Sequence, residues 1–327
     1  MRARVFITQP VAASALKRLR QVARVTANPD DSRILPKKDL LAAVGKADIL
    51  FSLLHDRVDR AVLAANPKLK AVASMAITPD AIDVAEATAR GIPVTVVPPI
   101  VGEATADLNF GLMIAVARRM RDGDRLLRRG GFPGSQSNHL AGAAVSGKVL
   151  GLVGGGGRIG RAVAKRAHGF GMEVLYWGPR RKPERDEKDF GLTYVPFEEL
   201  LRRSDFVSLH PPLNDETRHM ISDRALALMK PTAFLINTAR GPIVDEAALV
   251  RALSKKRIAG AGLDVYEHEP KVAAALRKMP NVVLTPHMGS AVVSVREVMA
   301  NIVVDNILAI LDGRPPPNCV NPAVLKP

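Results

Sequence analysis

Cysteine is nearly absent. The 327 residues hold one, Cys319, in a Pro-rich tail, which excludes an internal disulfide and a cysteine-built metal site and predicts an incidental thiol. Long apolar runs are missing too. The richest stretches, around residues 91–102 and 140–157, are broken by Pro, Gly, Ser or Lys, and none reaches the roughly 18 apolar residues that crossing a bilayer requires. The opening Met1-Arg2-Ala3-Arg4-Val5-Phe6-Ile7 alternates like a strand and lacks the core and cleavage site of an export signal, so a cytoplasmic protein is expected.

Acidic residues are the scarce charge: 32 Asp and Glu against 47 Lys and Arg leave a net +15, a field that attracts anions. Aromatics are scarce as well, at 4%. The densest basic run, Arg118, Arg119, Arg121, Arg125, Arg128 and Arg129, has no interleaved aromatic on which a base could stack, so it reads as a solvated or subunit-facing helix surface rather than a nucleic-acid groove. With 47% apolar and 24% charged residues, what remains is one large or two medium globular domains.

The pattern along the chain is strand and helix in alternation. Residues 5–8, 22–25, 48–51, 71–74 and 93–97 read as strands, with helices at 11–20, 37–44, 59–64 and 80–90 between them. A helical stretch at about 103–129 and a Gly- and Ser-containing connection at 130–138 follow. A second series then begins, with strands at 149–153, 173–177, 206–210, 233–237, 262–265 and 282–285, and the chain closes on a helix at about 291–311 whose apolar stripe must be buried. This order predicts an α/β protein of two doubly wound parallel sheets.

The second series opens on Gly154-Gly155-Gly156-Gly157-Arg158-Ile159-Gly160, where Gly155, Gly157 and Gly160 satisfy G-x-G-x-x-G between a strand and a helix. Glycine admits the backbone to a pyrophosphate, and the helix that starts near Arg158 offers it unpaired N–H groups. At the end of the next strand a carboxylate would bind a free ribose 2′-OH. Trp177-Gly178-Pro179-Arg180-Arg181-Lys182 has Gly178 there instead, followed by three cations, so NADP is preferred, with NAD possible.

Three further segments each end a predicted strand: 236–241 with Arg240, 261–270 with Glu269, and 284–291 with His287. Ligands bind at strand carboxyl ends in open parallel sheets, so these residues are expected beside one nicotinamide. A guanidinium, an acid and an imidazole are the parts that reduction of a 2-oxo acid requires. Among the other histidines, His55, His139, His168, His219 and His268 have no comparable setting, while His210 is expected to line the cofactor cleft.

On these motifs, with Glu103-Ala104-Thr105-Ala106-Asp107-Leu108 and Leu213-Asn214-Asp215-Glu216-Thr217-Arg218-His219-Met220-Ile221, the sequence resembles the D-isomer-specific 2-hydroxyacid dehydrogenases over nearly its whole length, with most likeness to glyoxylate/hydroxypyruvate reductases. The resemblance implies a Rossmann dinucleotide-binding domain, 99–291, inserted in a flavodoxin-like substrate domain made of 1–98 and 292–327. It assigns Arg240 to the substrate carboxylate and carbonyl, His287 to proton donation and Glu269 to orienting His287. It implies a cofactor site of Thr105, Gly155, Gly156, Gly157, Arg158, Ile159, Trp177, Gly178, Arg180, Arg181, His210, Pro211, Thr217, Thr238, Ala239 and Asp264. The substrate would meet Leu54, Ala76, Ile77 and Ser290 besides Arg240 and His287. No metal is needed. A homodimer is implied, with 103–129 at or near the interface.

Two departures stand out. The glycine loop has one residue more than the family spacing, and at 74–80 Thr78 stands where the family has glycine, followed by Pro79, which has no N–H to offer a carboxylate. Substrate identity is therefore less constrained than reaction type: a bulkier 2-oxo acid, formate or phosphite are alternatives, as is a dinucleotide-sensing corepressor on the same scaffold.

Overall fold

Strand residues such as Val149-Leu150-Gly151-Leu152-Val153 bury both faces, which a strand can do only inside a parallel sheet covered by helices on each side. The computed structural model describes residues 2–325; Met1, Lys326 and Pro327, the ends of the expected discontinuous domain, lie outside the described residues. The chain divides into two units, one running to Ile100 and resuming at Ala291, the other spanning Val101–Ser290.

The first unit contains β1 (Arg4–Ile7), α1 (Ala13–Val22), β2 (Arg24–Ala27), α2 (Lys37–Val44), β3 (Ile49–Ser52), α3 (Arg60–Ala64), β4 (Ala71–Ser74), α4 (Val84–Ala89) and β5 (Val94–Thr95). Its strands pair in parallel in the order β2-β1-β3-β4-β5, the flavodoxin-like order expected. The register sets Ser52 level with Ser74, so the loops carrying Leu54 and Ala76-Ile77 leave adjacent strands on one edge. Asp56 shapes the first loop by accepting the Thr8 hydroxyl and the Leu53 N–H, and burial holds its carboxyl above the ordinary range. In the second loop Met75 N–H donates to Ser52 O and Ala76 N–H to Ser74 Oγ, which leaves the Ile77 N–H outside these bonds.

The second unit holds α5 (Gly102–Ala117), α6 (Met120–Arg128), β6 (Val149–Val153), α7 (Arg158–Gly169), β7 (Glu173–Trp177), α8 (Glu184–Asp189), β8 (Thr193–Tyr194), α9 (Phe197–Arg203), β9 (Phe206–Leu209), α10 (Asp223–Leu228), β10 (Phe234–Asn237), α11 (Glu246–Ser254), β11 (Gly260–Leu263), α12 (Ala274–Lys278) and β12 (Val282–Leu284). The last long helix, α13 (Val293–Leu311), returns to the first unit, where Met299, Val303 and Ile307 are buried and Glu297, Asn301 and Asp305 bond Ser14 and Arg18 of α1. The sheet order is β12-β11-β10-β9-β6-β7-β8, all parallel. It reverses direction between β6 and β9, which is where a Rossmann sheet opens its ligand crevice.

Two local expectations differ. The helix expected at 103–129 is two helices, because Arg119 takes a left-handed φ of 52° and turns the chain. The sheet also has an edge strand, β8, absent from the sequence reading; two residues are too few to show a period. The basic run is partly spent on structure: Arg121 donates to the Val282 and Met279 carbonyls, while Arg119 and Arg128 pair with Asp122 and Asp124. Among the described residues no helix is long and apolar enough to cross a membrane.

Candidate active site

Six strand ends of the second unit form a row. The register aligns Asn237 with Leu263 and Leu263 with Leu284, so the segments after β10, β11 and β12 leave the sheet side by side, at the ~4.8 Å spacing of neighbouring strands. These segments carry Arg240, Glu269 and His287. Past β10 the row continues through His210 after β9, Gly154 after β6 and Gly178 after β7.

His287 Nδ1 and Glu269 Oε2 are 2.8 Å apart, with both side chains about one-fifth exposed. The other carboxylate oxygen of Glu269 accepts the Tyr266 N–H at 3.0 Å, which fixes the plane of the acid. His287 itself has a φ of 51°, a left-handed conformation that costs a non-glycine residue about 1 kcal/mol. Asp264 holds it there. Its carboxylate accepts the Thr285 hydroxyl at 2.6 Å and the Met288 and Gly289 N–H groups at 2.8 and 2.9 Å, while its carbonyl accepts the His287 N–H. Burial raises the Asp264 carboxyl above its ordinary pKa, opposed by those three donors. Thr105, buried on α5, donates to the Gly289 carbonyl at 3.3 Å, and Ser290 ends this segment half-buried.

Arg240 is half-buried on an extended backbone, its carbonyl accepting Asn237 Nδ2 at 3.0 Å, and the Asn237 side-chain oxygen accepts the Ala239 N–H. Thr238 is tied back into the core: Asn109 of α5 donates from Nδ2 to Thr238 Oγ1 and to Ser208 Oγ at 3.0 and 2.9 Å, and Ser208 Oγ lies 3.0 Å from His210 Nε2. His210 Nδ1 has neither exposed surface nor a partner among the described residues, and burial pushes the imidazole down to about 3. The sequence reading missed Asn109. Its one signal is an amide between Ala106, Phe110 and Met113 on an otherwise apolar helix face.

The glycine loop resolves into distinct jobs. Gly154 has a φ of +79°, and a Cβ there would stand 2.7 Å from the Pro211 nitrogen. Gly160 faces the Gly155 backbone too closely for any side chain, so α7 packs directly on the loop. Gly157 caps α7 in extended backbone and, like Arg158, is exposed; its own N–H donates to the Gly154 carbonyl at 3.1 Å, which closes the loop, and the helix that follows offers the amino-terminal end a pyrophosphate requires. Ile159 packs on the core beside Ala162 and Val163.

After β7, Trp177 lies against Phe197 with ring centroids 5.2 Å apart, and Gly178 is buried with no carboxylate beside it in sequence. Arg180 is exposed and makes no ion pair among the described residues, whereas Arg181 donates twice to Glu187, at 2.9 and 2.8 Å. Thr217 is buried and its hydroxyl is engaged within its own loop, donating to the Pro212 carbonyl and accepting the Asn214 N–H. Pro211 is buried against Gly154.

Residues 110–289 match the family profile described as "D-isomer specific 2-hydroxyacid dehydrogenase, NAD binding domain". The chain is 46% identical over 99% of its length to the glyoxylate reductase of Thermococcus litoralis, 98% of which is covered. Among solved structures, a glyoxylate reductase from Paecilomyes thermophila superimposes with a TM-score of 0.80 at 32% identity, covering 98% of both chains. An NADPH-dependent glyoxylate/hydroxypyruvate reductase from Sinorhizobium meliloti gives 0.79 at 31% identity, also over 98% of both.

Proposed function

The chain belongs to the D-isomer-specific 2-hydroxyacid dehydrogenase family, and from that premise we propose that it reduces glyoxylate or hydroxypyruvate with NADPH. It is an oxidoreductase with a nicotinamide-dinucleotide-binding domain. The loop with its positive-φ Gly154, the closely packed Gly155 and Gly160 and the amino-terminal end of α7 that starts at Arg158 suit a pyrophosphate, and Thr238, Ala239, His210 and Asp264 stand at the strand ends that would face the nicotinamide. When bound, the dinucleotide supplies the hydride.

The side chains do the rest. Arg240 presents a planar pair of donors to the substrate carboxylate and to the carbonyl oxygen on which charge develops. His287, with Nδ1 turned to Glu269, carries the transferable proton on Nε2 and gives it to that oxygen. Glu269 keeps the ring in this orientation. Ser290, at the end of the segment that carries His287, is a further substrate contact of the same unit. The observation that carries the reading is the 2.8 Å His287–Glu269 pair, on the segments after β12 and β11, with β11 adjoining the strand that delivers Arg240.

For the cofactor, the Gly178 that stands where a carboxylate would bind a free 2′-OH and the exposed Arg180 favour a 2′-phosphate, and the Sinorhizobium relative is NADPH-dependent. A homodimer fits the exposed Met120, Leu127 and Phe132 at 56, 57 and 80%, an apolar surface that a second copy would cover. Light scattering on the eluted protein should give twice the chain mass, and Leu127→Glu should halve it.

The test is oxidation of NADPH and NADH against glyoxylate, hydroxypyruvate, pyruvate and a bulky 2-oxo acid. Fastest turnover is expected with NADPH and either of the first two, and Arg180→Ala should raise the KM for NADPH roughly tenfold without touching that for NADH. Preference for the bulky acid, or for NADH, would refute the corresponding half.

A further inference from the structure

We propose that Lys182 is a ligand of the dinucleotide pyrophosphate, held over the glycine loop by a clamp of Tyr176, Glu187 and Arg181. The inference rests on the dinucleotide site described above and assigns it one more cation.

Lys182 belongs to the loop after β7, yet its side chain lies across the loop after β6. A Cβ placed on Gly156 would come within 2.5 Å of Lys182 Cε and 2.7 Å of its Cγ, so the aliphatic stem crosses directly above that glycine. Gly156 immediately precedes Gly157 and Arg158, where α7 begins and presents its amino-terminal end. The ammonium at the end of this half-buried stem makes no ion pair among the described residues. A flexible cation beside a helix amino terminus is the arrangement in which lysine serves phosphate as a point charge.

The backbone under this lysine is fixed. The Lys182 N–H donates to the Tyr176 hydroxyl at 2.8 Å, and that hydroxyl donates to Glu187 Oε1 at 2.7 Å. Arg181 grips the same carboxylate with Nε and Nη2. Glu187 is buried, and the Arg181 and Tyr176 bonds hold its carboxyl down to about 2, while burial and Glu187 push the phenol up to about 12. The clamp therefore keeps one charge state over the working range of the enzyme. A second tie runs from the same helix: Asp186 pairs with Arg161 of α7, whose Nε donates to the Gly156 carbonyl at 3.1 Å. Helix α8 thus anchors both the glycine loop and the cationic loop. In this arrangement Arg181 is a positioning residue, Arg180 meets the 2′-phosphate and Lys182 meets the pyrophosphate.

The pyrophosphate is common to both dinucleotides, and this separates Lys182 from Arg180 experimentally. Kinetics of Lys182→Met, Lys182→Arg and Tyr176→Phe, with NADPH and with NADH, should show Lys182→Met raising both KM values by the same factor, roughly tenfold, with kcat unchanged. Lys182→Arg should restore most of the loss, and Tyr176→Phe should raise both KM values by a smaller equal factor, about threefold. Calorimetry with ADP, which carries a pyrophosphate and no 2′-phosphate, should show weaker binding to Lys182→Met and does not depend on turnover. A rise confined to NADPH, or unchanged ADP affinity in Lys182→Met, overturns the proposal while leaving the site intact. Failure of the unmodified chain to bind either dinucleotide or ADP would instead remove the site, and this inference with it.

Discussion

At the scale of the residue, the chemistry is concentrated in groups whose surroundings leave them little freedom. His287 sits in a left-handed turn that Asp264 ties from three sides, so removing the imidazole should spare the turn and remove only the acid. His287→Ala is expected to lower kcat roughly 10²- to 10⁴-fold with unchanged dinucleotide Kd, and near-normal turnover would end its assignment as proton donor. His210 offers a different test. Burial holds it near 3 in the folded chain, whereas an unfolded chain titrates it at about 6.5. Between these values the unfolded state binds the extra proton, so stability is full above about 6.5 and declines as pH falls toward 3. Urea midpoints at pH 7 and pH 4 should therefore differ less in His210→Phe than in the unmodified chain. Arg240, Glu269, His287 and His210 were legible as residue types at strand ends. The bonds that hold them were not: nothing in the sequence pairs Tyr266 N–H with Glu269, or Asn109 with Thr238 and Ser208.

Elements show where pattern reading works and where it stops. The strands of both sheets, β8 excepted, were visible as short runs, most of them apolar because a doubly covered strand must be apolar throughout. The break after α5 was not visible, since residues 118–129 keep a helical composition and only the left-handed Arg119 interrupts them. The contact of α7 with the glycine loop is the most demanding packing of the second unit. Gly160→Ala would push a methyl group into the Gly155 backbone, displacing the helix start. A loss of about 1–3 kcal/mol in stability is expected, with a larger proportional loss of dinucleotide affinity. A thermal melt and a dinucleotide titration on one preparation would check both, and an alanine as stable as the glycine would contradict the packing.

For the whole molecule the dominant physical fact is the net charge of +15. Many of its cations are already paired at the surface, as Arg203 is with Glu173 and Glu199, but the excess still favours encounter with anionic substrate and dinucleotide. Raising ionic strength from about 10 mM to about 0.3 M shortens the screening length from about 30 Å to under 8 Å, so kcat/KM for a 2-oxo acid should fall several-fold while kcat holds. A kcat/KM insensitive to salt would show that the excess charge plays no part in capture.

The amino-acid order alone determined the alternation of strands and helices, the glycine loop, the missing carboxylate after β7 and the presence of an arginine, an acid and a histidine at three strand ends. These are local or periodic properties, set by steric limits on single residues and by which side chains water rejects. Which loop lies across which, however, depends on strand order. Only the tertiary structure placed Lys182 over Gly156, committed Arg181 to Glu187 and joined Asn109 to Thr238, because those contacts link residues from 6 to 129 positions apart or cross between neighbouring strand ends, and no period in the chain records them.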